Sequence, residues 1–107
     1  MQKGKVRLPA PVYRESGAKH YHINQFVLRV EKRDDIMASL KQKGIGSEIY
    51  YPVPFHLQEW FRYLGHNEGD FPESERAAKE TVAIPIYPEL TATQQTEVVE
   101  AIAAYYA

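Results

Sequence analysis

A chain of 107 residues that is 44% hydrophobic and 25% charged has the size and composition of one globular domain. With 13 Lys and Arg against 14 Asp and Glu, its formal net charge of -1 offers no broad basic field for nucleic acid. The absence of cysteine excludes a disulfide framework, a thiolate nucleophile and a cysteine-type zinc site, and no apolar run approaches the ~20 residues of a membrane span.

Residues 1–20 read as an N-terminal arm or linker remnant. Pro9, Pro11, Gly4 and Gly17 interrupt them, five Lys or Arg are scattered through them, and no apolar period is visible, as in a solvated lead-in. Residues 21–107 read as the folded domain. "YHINQFVLRV" from Tyr21 is β-branched and aromatic with apolar residues on both faces near its end, which predicts a strand. "KRDDIMASLKQKG" predicts a helix with Asp34 and Asp35 in the first turn, Ile36, Met37 and Leu40 buried, Lys41 and Lys43 near the end, and Gly44 as the stop. "GSEIYY" predicts a second strand ended by Pro52.

In "HLQEWFRYLG", Leu57, Trp60, Phe61 and Leu64 recur at helical spacing before Gly65, so a short amphipathic helix is predicted. "PESERAAKET" predicts another helix with Pro72 in its first turn. "VAIPIYPEL" is extended, but its two prolines confine it to a sheet edge. The last helix opens on a capping box, Thr91 and Gln94, and is expected to bury Val98, Val99, Ile102 and Tyr106. The order β-α-β-α-α-β-α predicts an α+β fold, a small sheet of about three strands covered by helices, with parallel and split strand orders both open. No signal peptide precedes the domain, so the expected setting is the cytoplasm.

No self-sufficient active site is visible. His20 and His22, two apart in or before a strand, point the same way and make half a metal site at most; His56 and His66 lie elsewhere, with no carboxylate at ligand spacing, so no metal centre is expected. No glycine-rich phosphate loop and no hydroxyl nucleophile stand in a motif. The stretch that stands out is "IYYPVPFHLQ", residues 49–58, with three aromatics, two prolines and a histidine in ten residues. Prolines fixing an extended crossover, with Phe55 and Leu57 sealing the core, explain it structurally. An apolar wall with polar tips, the usual lining of a small-molecule pocket, explains it functionally. As neighbours in a strand, Tyr50 and Tyr51 would face opposite ways, one into the core and one outward. His56 at a helix start would sit beside free backbone N–H groups that favour an anionic neighbour.

From Tyr21 onward, "NQFVLRVEKRDDI", "KGIGSEIYYPVPFHLQ", "GDFPESERAAKETVAIPIYPELT" and the closing "EVVEAIAAY" together resemble the C-terminal small domain of the pyridoxal-phosphate-dependent sugar aminotransferases of the DegT/DnrJ/StrS type. The resemblance implies a fold like the C-terminal domain of fold-type-I aminotransferases. It also implies an activity for the whole family member, transfer of an amino group from glutamate to a nucleotide-linked keto-sugar through a lysine Schiff base with pyridoxal phosphate. That lysine and the phosphate-binding residues belong to a large domain, and none of the seven lysines here (Lys3, Lys5, Lys19, Lys32, Lys41, Lys43, Lys79) lies in a segment like the family's lysine loop.

The expectation is therefore a chain inactive alone, with no cofactor of its own and no catalytic residue, and with Tyr50, Tyr51 and His56 on the substrate side. Its expected partners are the large domain or a second copy as a homodimer, together with a sugar-nucleotide, and neither nucleic acid nor membrane. The alternative is a stand-alone module that binds sugar-nucleotide or assembles with itself or with a full-length aminotransferase. An unrelated enzyme using His56 and a tyrosine as acid and base lacks an evident third partner in the sequence.

Overall fold

The computed structural model describes residues 4–11 and 23–107. His20, His22 and the start of the strand predicted from Tyr21 lie outside the described residues. Three strands, β1 (Val6–Arg7), β2 (Phe26–Val30) and β3 (Thr81–Ile84), form one antiparallel sheet in the order β1-β2-β3. Three α-helices, α1 (Arg33–Gln42), α2 (Pro72–Glu80) and α3 (Ala92–Tyr105), complete the architecture with two 3-10 segments, Phe55–Leu57 and Glu59–Leu64. This is the expected α+β class. Antiparallel pairing decides between the strand orders left open by the sequence, and β3 takes the expected edge position.

The alternation in β2 sets the layers. Leu28 and Val30 are buried on one face, beside Val82, the register partner of Leu28. They meet Ile36 and Leu40 of α1 and Val98, Ala101 and Ile102 of α3. Gly44, at φ +73°, ends α1 in a Schellman arrangement: its N–H bonds the carbonyl of Lys41, and the N–H of Ile45 returns to that of Leu40. Ile45 is thereby turned back onto the core. The capping box forms as predicted, Thr91 Oγ1 accepting from the Gln94 N–H at 3.2 Å and Gln94 Oε1 accepting from the Thr91 N–H at 3.0 Å. Tyr106, just past α3, is buried and donates its hydroxyl to the carbonyl of Glu31. Val99, in contrast, is 47% exposed, because it falls on the outer side of α3.

Three sequence expectations fail for identifiable reasons. First, Val6 and Arg7 are not part of a solvated lead-in; they pair with Val30 and Arg29 and extend the sheet into the segment set apart by composition. Second, "GSEIYY" forms a single bridge, Glu48 with Ala83, rather than a strand. The rungs on either side are closed to it. The Thr81 N–H already bonds the carbonyl of Ala77, the Thr81 carbonyl accepts from Arg33 at 3.3 Å, and Pro85 has no N–H to give. Third, residues 55–64 do not make one amphipathic helix. Gln58 is extended between two 3-10 segments, and Trp60 and Leu64 are 85% and 53% exposed. Helical stripes are held by a surface to bury against, and none of the described residues supplies one here.

On the opposite face of the sheet, α2 crosses near β2, where Arg29 approaches Glu73 at 4.0 Å. Arg33 joins α1 to the end of α2 by donating from Nη1 to the Ala78 carbonyl at 2.8 Å.

Candidate functional site

The "IYYPVPF" segment walls a groove of about 330 Å³ on this open face. Val27 and Ala83 form its floor, Ala77 and Ala78 of α2 its far wall, and Tyr50, Tyr51, Val53, Pro54 and Phe55 its near wall. Because residues 49–51 leave the ladder after Glu48, the two tyrosines do not alternate between core and solvent. Both border the groove, 45% and 65% exposed, and neither enters the core. Nor do Phe55 and Leu57 seal the core; they are 65% and 37% exposed. Phe55 instead stands edge-on to Tyr51 (6.5 Å between ring centres) and to Phe61 (5.9 Å). Gln58 donates to the Val53 carbonyl at 3.1 Å and holds the loop closed on itself.

His56 does not share this groove. It is buried, its Nε2 lies 2.8 Å from Glu75 Oε1, and its ring meets Phe71 edge-on at 4.8 Å. The anionic neighbour expected beside it is therefore a side chain of α2. Glu75 also accepts from the Gly69 N–H at 2.8 Å, a contact made in a turn where Gly69 holds φ +94°. The hydrogen bond from His56, followed by backbone N–H donors, holds the Glu75 carboxyl below the usual carboxylate range. His66 also meets Phe71 edge-on, at 5.0 Å between ring centres, and reaches Asp70 at 3.5 Å. The N–H of Asn67, and then His66, lower the Asp70 carboxyl as well.

Glu75 and Phe71 are the residues that sequence reasoning missed. In sequence, Glu75 is an acid in the first turn of a helix, fully explained by the helix dipole, and its 19-residue separation from His56 carries no motif. The arrangement orients and buries an imidazole, but among the described residues no hydroxyl or thiol is hydrogen-bonded to it. The groove does not fit pyridoxal phosphate either: its described lining holds no lysine to bond an aldehyde and no arginine or histidine to hold a phosphate. Among the described residues no three His, Cys, Asp or Glu come together as a metal site, and no described helix is long and apolar enough to cross a membrane.

Residues 3–103 match the DegT/DnrJ/EryC1/StrS aminotransferase family. The chain belongs to this family. It is 49% identical over 87 residues to the pleiotropic regulatory protein of Geobacillus stearothermophilus, covering 80% of this chain and 23% of that protein. Over 77 residues it is 34% identical to the dTDP-3-amino-3,4,6-trideoxy-alpha-D-glucose transaminase of Streptomyces venezuelae, covering 72% of this chain and 20% of the relative. Its fold is similar to that of S. venezuelae DesV, solved in complex with a ketimine intermediate, with a TM-score of 0.77 and 26% identity over 94% of this chain and 26% of that one. NtdA from Bacillus subtilis, solved with bound cofactor PMP, gives a TM-score of 0.74 at 26% identity over 95% of this chain and 23% of NtdA. The chain thus spans about a fifth to a quarter of the length of these family members.

Proposed function

We propose that this chain is the C-terminal small domain of a nucleotide-sugar aminotransferase, presenting Tyr50 and Tyr51 to a sugar-nucleotide while the His56–Glu75 pair fixes the loop behind them. The observation that carries this is the family match over residues 3–103 together with a fold shared over 94% of this chain but only 26% of DesV. Pyridoxal phosphate and its lysine would belong to the rest of such an enzyme, and the 107 residues alone do not transaminate. The aromatic face supports a packed partner: Tyr51, Phe55, Trp60 and Tyr63 are each at least 65% exposed, and apolar patches of this kind mark interaction surfaces. The large domain is the partner in this proposal. A second copy, giving a homodimer, is the one that serves a stand-alone module.

The test has two arms. The purified chain, given pyridoxal phosphate, glutamate and a keto-sugar nucleotide, is expected to release no 2-oxoglutarate; turnover proportional to the chain refutes inactivity. In an NMR titration with a dTDP- or UDP-linked sugar, the expected shifts centre on Tyr50 and Tyr51, with His56 following only through the loop it fixes. An unchanged spectrum at millimolar ligand removes the substrate-side assignment. Light scattering separates the partner arrangements, since a monomer at high concentration eliminates the homodimer.

A further inference from the structure

The 3-10 segment Glu59–Leu64 holds the six residues EWFRYL. With three residues per turn, positions i and i+3 of such a helix eclipse, so the six side chains form three ridges about 120° apart. The N–H of Phe61 bonds the Gln58 carbonyl and that of Gly65 the Arg62 carbonyl, fixing this period at both ends. Phe61 and Leu64 make one ridge, and Phe61 turns toward the groove loop, where it meets Phe55 at 5.9 Å. Trp60 and Tyr63 make the second, Glu59 and Arg62 the third. At 85% and 80%, Trp60 and Tyr63 are the most exposed of the large apolar side chains described. The aromatic face thus has two parts: a cluster of Tyr51, Phe55 and Phe61 beside the groove, and a Trp60–Tyr63 ridge turned about 120° from Phe61.

The charged ridge is balanced within itself. Glu59 and Arg62 are exposed, and among the described residues neither forms an ion pair inside the chain. A two-fold contact uses one patch twice, so that patch must complement itself. Two such segments, set antiparallel about a two-fold axis with their Trp60–Tyr63 ridges facing, keep their charged ridges on the same side. The acid of each copy then falls toward the base of the other. At 150–250 Å² for a fully covered aromatic side chain, Trp60 and Tyr63 can remove roughly 300 Å² of exposed surface per copy. Leu64, 53% exposed, and the stems of Glu59 and Arg62 raise this to about 500 Å². Two copies together cover about 1,000 Å², the low end for a specific association. Trp, Tyr and Arg are also the side chains that dominate binding energy at interface centres, and all three stand within these six residues.

We infer that the Glu59–Leu64 segment is a two-fold self-association site whose partner is a second copy of this chain, with Trp60 and Tyr63 as its anchors and Glu59 facing Arg62 across the axis. This specifies the surface of the second-copy arrangement and rests on that arrangement, not on the substrate assignment. Neither Trp60 nor Tyr63 lines the tyrosine-walled groove, so Tyr50, Tyr51 and Phe55 keep the substrate and the partner proposed for them. The small covered area makes the association reversible rather than permanent, and a net charge of -1 per copy adds little repulsion to it.

Trp60 is the single tryptophan of the chain, so its fluorescence reports the contact directly. Sedimentation of the purified chain from micromolar to millimolar concentration is expected to show a reversible monomer–dimer equilibrium, with a blue shift of Trp60 emission as the dimer forms. Trp60→Ala is expected to weaken association about tenfold and to leave the melting temperature unchanged, since the side chain is 85% exposed. Glu59→Arg or Arg62→Glu alone sets like charges against each other and weakens the dimer. An equimolar mixture of these two variants is expected to restore it, because each cationic segment then faces an anionic one, a rescue that a role within one chain does not give. A chain that stays monomeric at millimolar concentration overturns the inference, as does a mixture that associates no better than either variant alone. A dimer of unchanged affinity in Trp60→Ala overturns this surface while leaving the second-copy arrangement standing.

Discussion

Tyr106 ties the end of α3 to the start of the β2–α1 connection, and alkaline pH reports on that tie. Its side chain is buried, 6% exposed, and the hydroxyl donates to the Glu31 carbonyl. Burial first, then the neighbouring Tyr105 and Glu31, push its pKa up from 10.0 to about 12. A raised folded pKa means that the contribution is fully present below pH 10 and is lost as pH rises through 12, because the unfolded chain releases the proton first. Two units at about 1.4 kcal/mol each come to roughly 2.7 kcal/mol of stability lost across that window. Tyr106→Phe removes both the hydrogen bond and the titration. It is expected to be about 1 kcal/mol less stable than the parent at pH 7, and more stable above about pH 11, where the linkage loss exceeds that deficit. Urea unfolding of both proteins between pH 7 and 12 measures the difference and cancels the other tyrosines and the lysines. Curves that stay parallel through pH 12 refute the assignment of a buried, hydrogen-bonded phenol.

The His56–Glu75 pair gives the acid counterpart. Since the Glu75 carboxyl is lowered from 4.5, its contribution is present above that value and is lost as pH falls through the folded pKa. Glu75→Gln is expected to flatten the acid limb of a stability–pH profile and to release the 55–57 turn, visible as faster amide exchange there. Leu28→Ala, at a site only 2% exposed, is expected to cost about 3 kcal/mol, whereas Val99→Ala, on the outer side of α3 and 47% exposed, costs under about 0.5 kcal/mol; urea denaturation separates them. Thr91→Ala breaks one half of the α3 capping box and is expected to lower stability by about 1 kcal/mol in the same assay.

Local chemistry made several elements readable from sequence alone. Asp34, Asp35 and Gly44 bracket α1, Pro72 opens α2, Thr91 and Gln94 start α3, and the apolar alternation of β2 marks its buried face. Each signal acts within a few residues, through a cap, a helix dipole or a side-chain period, so no distant partner is needed to interpret it. The four quoted motifs, in order, likewise carried the family.

The rest was decided by contacts between residues far apart in the chain. Whether "GSEIYY" became a strand depended on Thr81 and Pro85 and on the hydrogen bonds they had already committed or could not make. The amphipathic spacing of Leu57, Trp60, Phe61 and Leu64 was real, yet a stripe folds into a helix only against a surface, and these residues remain largely exposed. His56 was legible as a histidine near a helix start, but its partner Glu75 is 19 residues away and was brought to 2.8 Å by the packing of α2. The pairing of Arg7 with Arg29 likewise exists only because residues 6–7 join the sheet. Caps and periods are local and therefore written in the sequence; ladders and buried pairs are created by long-range register, which only the folded chain determines.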